Sequence, residues 1–187
     1  MALTDEPIRK LLEWFVNKSH FHKKWSEVRK RGQKENHKWL QPSVLEKMSD
    51  EELRDRFIEY YKNGSGEKQS LNQIYRDRIV RDMPSFRKAL MHLLDESIPI
   101  EDRITEVLEG KYRIEGFGRA IVTALLMDFK PDKYCLWNNK TETGFSVLGW
   151  QLYERGDSQA IRYLKVLDAL KKAQSNAAGS SHVIFGC

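Results

Sequence analysis

Residues 111–126 read KYRIEGFGRAIVTALL, and the fold turns on the five residues Ile114, Glu115, Gly116, Phe117 and Gly118 inside them. An apolar residue, a spacer and a Gly-apolar-Gly triplet lead straight into a helical pattern from Arg119 to Phe129. Ahead of them, Ile100, Ile104, Val107 and Leu108 recur at helical spacing in a segment that runs from about Pro99 to Leu108. Glu101 and Asp102 stand in its first turn, where the helix dipole favours acids, and Gly110 breaks it. Two glycines permit a tight hairpin with positive φ and the close approach of a second backbone. Phe117 between them can plug the hairpin into a core. The second helix starts with unsatisfied N–H groups at its positive end. The pattern therefore predicts an anion site there, flanked by Lys111 and Arg119, into which a phosphate fits.

The rest of the chain is helical in pattern too. Thr4 or Asp5 can cap a first helix with Pro7 in its first turn, and Ile8, Leu11, Leu12, Phe15 and Val16 form its apolar side. Ser49 to Glu52 is a capping-box signature opening a helix with Leu53, Phe57, Ile58 and Tyr61 on one side. Asn63 to Gly66 stops it. Leu71, Ile74, Ile79 and Met83 predict a helix ending before Pro84, and Phe86, Leu90, Leu93 and Leu94 another. Further helices are expected up to Leu148-Gly149 and from Ser158 to Gln174. No alternating segment beside a two-residue turn marks a hairpin of strands. The expectation is an all-α domain over residues 1–174. Its parts are N-terminal helices (1–96), a hairpin flanked by helices and a following helix (97–150), and a C-terminal helix (151–174). Residues 175–187 have no Lys, Arg, Asp or Glu and read as a linker or tail, either a domain boundary or a segment that docks on the core.

Composition narrows the class. With 187 residues, 40% hydrophobic and 32% charged, the chain is neither collagen-like nor wholly disordered. No apolar run approaches the ~20 residues needed to span a bilayer, and Met1 to Lys10 has no signal-peptide core. Cys135 and Cys187 read as reduced thiols, which with the missing signal points to the cytoplasm. No metal site is expected: there is no CxxC pair, and His20 and His22, two apart, point to different sides of a helix. No cofactor is expected either. The triplet lacks the third glycine of a dinucleotide fingerprint, and Gly64 to Lys68 has the wrong spacing for a phosphate-binding loop.

The net charge of +5 is unevenly placed. Residues 18–38 hold Lys18, Lys23, Lys24, Arg29, Lys30, Arg31, Lys34 and Lys38 against Glu27 and Glu35, with Trp25 and Trp39 interleaved. Clustered cations beside aromatics suit a phosphate backbone, since each neutralised phosphate releases condensed counterions. A solvated helix face with the tryptophans anchored in the core accounts for the same pattern.

The segment from Pro99 to Phe129 resembles the helix-hairpin-helix motif of the DNA-glycosylase superfamily. That resemblance implies binding of double-stranded DNA through the hairpin, with Lys111, Arg113, Gly116, Phe117, Gly118 and Arg119 at the contact. It extends into residues 131–140, PDKYCLWNNK, adding Lys133, Asn138, Asn139 and Lys140, while Lys23, Lys24, Arg29, Lys30 and Arg31 would give a second contact. Aligned on Gly116 and Gly118, the family's catalytic Lys position falls on Ala120 and its catalytic Asp position on or beside Asn138. Alanine cannot form a Schiff base and an amide carries no negative charge, so the resemblance implies the fold without that chemistry and no catalytic residue is assigned. The same string also resembles N-terminal regions of modification-dependent restriction proteins of the McrB type, which implies a recognition domain working with an ATPase or GTPase domain or subunit. The alternatives are a divergent glycosylase or lyase drawing on Asp128, Asp132 or Glu142, and a protein-interaction module. Tyr134, Trp137, Asn138 and Asn139 could instead line a base pocket, or the aromatics fill the core and Asn138 caps the next helix.

Overall fold

The hairpin is held by the helix that follows it, whose every residue from Ile121 to Phe129 is buried. A helix buried on every side, Thr123 and Asp128 included, belongs in the middle of a bundle. The computed structural model describes residues 20–62 and 73–177, with single residues at 6, 10, 13, 14, 17 and 18. Side chains are described for these except at 20–26, 28–29, 73–74 and 173–177. Among the described residues there are nine helices and no strand: α1 (His20–Trp39), α2 (Pro42–Leu45), α3 (Asp50–Lys62), α4 (Gln73–Ile79), α5 (Met83–Leu94), α6 (Ile100–Leu108), α7 (Arg119–Phe129), α8 (Asn139–Val147) and α9 (Gln159–Ala177). Most of the first expected helix and the Asn63 to Gly66 loop lie outside the described residues.

α6 packs most extensively against α9 and α5, and α7 against α1, α5 and α6. Phe57 of α3, Phe86 of α5 and Phe117 of the hairpin form an aromatic cluster, with ring centroids 4.6 Å apart for Phe57–Phe86 and 5.7 Å for Phe86–Phe117. Tilted and edge-on pairs at these distances suit the ring quadrupoles. Two arginines join the layers. Arg103 is 3% exposed and donates to the Leu93 carbonyl at the end of α5 (2.9 Å) and to the Tyr134 hydroxyl (2.7 Å). Arg87 reaches the Leu45 and Met48 carbonyls and Asp50, fixing α5 against the α2–α3 junction.

Local rules explain most ends. Ser49 and Glu52 close a reciprocal capping box at the start of α3 (2.7 and 3.2 Å). Two expectations need correcting. Met83 and Pro84 do not end a helix; they begin α5, while α4 stops at Ile79. Asp82 caps α5, accepting from Ser85 N (3.1 Å) and Ser85 Oγ (2.7 Å), and proline is tolerated in a first turn because its missing N–H has no partner there. At the C-terminus, Ser175 to Ala177 continue α9 rather than starting a linker. The first strong breaker in the sequence is Gly179.

Candidate nucleic-acid interface

The hairpin between α6 and α7 is a run of short-range turns. Gly110 N donates to Thr105 O (2.9 Å), Tyr112 N to Glu106 O (2.9 Å), Arg113 N to Gly110 O (3.2 Å) and Phe117 N to Ile114 O (3.0 Å). Gly116 has φ +89°, and a Cβ there would lie 2.9 Å from Tyr75 Cβ and 3.0 Å from Tyr75 O. Both its backbone conformation and the wall of α4 require glycine. Gly118 differs from what two hairpin glycines led us to expect. It has φ −88° and ψ 178° as the residue capping α7, and a Cβ there would meet nothing within 4 Å.

The carbonyl of Gly118 accepts from Ile121 N (3.0 Å) and Val122 N (3.1 Å). Among the described residues, the N–H groups of Gly118, Arg119 and Ala120 have no backbone acceptor. Gly118 is exposed, and Phe117 beside it is 2% exposed, so the hairpin presents backbone outward and sends its side chain inward. The positive end of an 11-residue helix thus meets solvent at a residue with no side chain.

Charged neighbours divide into open and committed groups. Lys111, Arg113 and Lys140 are exposed, Lys111 lying with its Nζ 4.9 Å from the Tyr112 ring centroid. Glu115 pairs with Arg78 of α4. Lys133 pairs with Glu96 at 2.8 Å, Lys130 pairs with the same carboxylate, and these two ammonium groups hold the Glu96 carboxyl down to about 2. Arg119 is held three ways: Nη1 lies 2.8 Å from Glu142 Oε1, Nη2 donates to Asn139 Oδ1 (2.9 Å), and Cζ stands 4.7 Å from the Trp137 ring centroid. Glu142 Oε1 also accepts from Trp137 Nε1 (3.1 Å) and from the Tyr153 hydroxyl. Burial and then the Glu142 hydrogen bond push the Tyr153 phenol above its usual value. Beside Glu142 lies an open cavity of about 330 Å³ walled by Phe145, Trp150 and Tyr153.

The segment after α7 lies along that helix. Thr123 Oγ1 donates to Arg119 O (2.8 Å) and accepts from Trp137 N (2.9 Å). Cys135 is bracketed by Tyr163, whose hydroxyl accepts from Cys135 N and donates to Cys135 O. Trp137 is fully buried and Tyr134 is 7% exposed. Asn138 caps α8: its side chain accepts from Thr141 N (3.0 Å) in a capping box. Asn139 is exposed and accepts from Arg119. Of the carboxylates near the hairpin in sequence, Asp128 is buried and accepts from Asn36 Nδ2 (2.8 Å), Asp132 is exposed, and Glu142 is the one that reaches the start of α7.

Lys30 and Arg31 are exposed on α1, while the side chains of Lys23, Lys24 and Arg29 lie outside those described. Among the described side chains, Asn36 donates to Asp128 and His37 Nδ1 pairs with the Phe129 carbonyl (2.7 Å), joining α1 to α7. These contacts lie at the far end of α7, about 15 Å along its axis from Gly118. The Glu142 cluster around Arg119 was not anticipated, because its members come from α7, α8 and the chain beyond. Among the described residues, no helix is long and apolar enough to cross a membrane. Compared with known proteins, the chain matches no protein-family model, no curated protein and no solved structure.

Proposed function

We propose that this domain binds double-stranded DNA without catalysis, through the helix-hairpin-helix element between α6 and α7. The observation that carries the reading is the start of α7, where three adjacent N–H groups without a backbone acceptor among the described residues stand at an exposed glycine. Such a terminus attracts a phosphate by direct donors and by the helix dipole together. Exposed Lys111, Arg113 and Lys140 add positive charge, and Lys30 and Arg31 on α1 supply a second contact. Asn138 acts as a helix cap rather than as a base reader in this scheme. The domain would serve as the target-recognition part of a cytoplasmic restriction or DNA-processing system, working with an ATPase or GTPase domain or subunit.

Fluorescence anisotropy of a short labelled duplex at two salt concentrations tests the reading. Binding should weaken as salt rises, with a slope of about −0.9 in log K against log salt for each phosphate contacted. Replacing Lys111 and Arg113 together with alanine should make that slope shallower by about two contacts. Absence of binding at low salt would favour a protein-interaction module. Strand incision or base release on lesion-bearing duplexes, lost on Glu142→Gln, would favour a lyase or glycosylase.

A further inference from the structure

We infer that Glu142 is an internal stand-in for phosphate that holds Arg119 until DNA arrives, so that Arg119 changes partner on binding. The inference rests on the DNA-binding reading above. Arg119 is the first residue of α7, and its own N–H is one of the three at the proposed phosphate site. Its guanidinium lies against the Glu142 carboxylate at 2.8 Å, and the pair is partly open to water, with the side chains 25% and 29% exposed. A backbone phosphodiester at the start of α7 carries the same single charge as the carboxylate, but it offers the planar fork two oxygens where Glu142 gives it one, Oε1, already shared with Trp137 and Tyr153, and this favours the exchange. Glu142 can release it without being stranded, because Oε1 keeps the Trp137 indole N–H and the Tyr153 hydroxyl. Trp137 supplies a fixed face over which the guanidinium can turn. The bonds broken and formed are all hydrogen bonds and ion pairs, with no proton moved.

Glu142→Gln tests this, since the amide oxygen still accepts from Trp137 and Tyr153 while the ion pair is gone. The variant should bind a labelled duplex about fivefold more tightly than the wild type, the gain matching the upper range for a partly exposed pair. In an Arg119→Ala background the same substitution should give no gain. An unchanged affinity, or an equal gain without Arg119, would overturn the idea and leave DNA binding standing. A wild type that binds no duplex at low salt would overturn both. The wild-type protein gives an independent readout: titration with duplex should shift the Trp137 indole N–H resonance as its shared acceptor loses Arg119, and a stationary resonance in a bound complex counts against the exchange.

Discussion

Replacing Gly118 with aspartate should stabilise the fold and weaken DNA binding in the same molecule. The position already has the extended backbone of a capping residue, φ −88° and ψ 178°, and nothing lies within 4 Å of a new Cβ. Aspartate is a better cap than glycine by a few tenths of a kcal/mol, and its charge at the helix start adds about 0.3–1 kcal/mol. The sum, near 1 kcal/mol, corresponds to a rise in Tm of roughly 2–4 °C for a domain of this size. The carboxylate would also occupy the N–H groups proposed to take phosphate and repel one held nearby. At about 5 Å that repulsion amounts to about 1 kcal/mol in bulk water and about 3 kcal/mol at an effective dielectric constant near 20. Affinity should fall at least about fivefold, and the salt slope should lose about 0.9. Asparagine at the same place separates charge from shape: it caps the helix and should cost less binding than aspartate. The assays are thermal unfolding and duplex anisotropy on the same preparations. A higher Tm with unchanged affinity and salt slope would show that phosphate does not sit at the start of α7.

Other substitutions probe the frame that carries the hairpin. Gly116→Ala must hold an L residue at φ +89° and push into Tyr75, so denaturant unfolding should register a loss of at least about 1–2 kcal/mol. Thr123→Val removes the acceptor of Trp137 N and leaves that buried N–H unpaired, with an expected loss of about 1–3 kcal/mol by the same measurement. His92 makes stability depend on pH. It faces the Tyr112 ring at 4.6 Å, and its Nε2 is buried without a partner among the described residues. Burial first, and Lys111 next, hold its pKa below the usual 6.5, against the opposing pull of Glu106 and Asp95. The unfolded chain therefore takes up a proton before the folded one, so stability present above pH 6.5 is lost as pH falls through the lower folded value. The stability difference between wild type and His92→Phe should shift in favour of the variant between pH 8 and pH 5, and a difference independent of pH would refute the assignment.

The parts of this fold that were legible in the sequence are those governed by neighbours along the chain. The helix from Arg119 to Phe129, the Ser49 capping box and the break after Leu108 each rest on signals within a few residues, and the structure places them where the pattern does. Pro84 was misread because a proline closes one helix as readily as it opens the next. Asp82 three residues before Ser85 was the deciding sign, a cap whose partner N–H lies beyond the proline. The charge distribution was the least legible feature. The resemblance places Arg119 and Lys133 at the contact as available cations, yet Arg119 is paired with Glu142 and Lys133 with Glu96, 37 positions away. Ion pairs across helices depend on packing that no local pattern encodes, so the open positive charge at the hairpin reduces to fewer groups than its composition suggests.

That reduction shifts the weight of the candidate site from side chains to backbone, and the two glycines then separate. Gly116 is fully explained by the fold, since its positive φ and its contact with Tyr75 each exclude a side chain. Gly118 has no such explanation. Its dihedral angles suit any residue, the space beside it is empty, and serine, asparagine or aspartate would cap α7 better. A glycine standing where the fold would be steadier without one leaves the helix start bare of any side chain that could shield its N–H groups. With Arg119 turned toward Glu142 and Phe117 turned into the core, what first meets a partner there is the backbone itself. A backbone surface of that kind reads charge and shape rather than base identity, so sequence preference, where a duplex has one, must come from residues outside the hairpin.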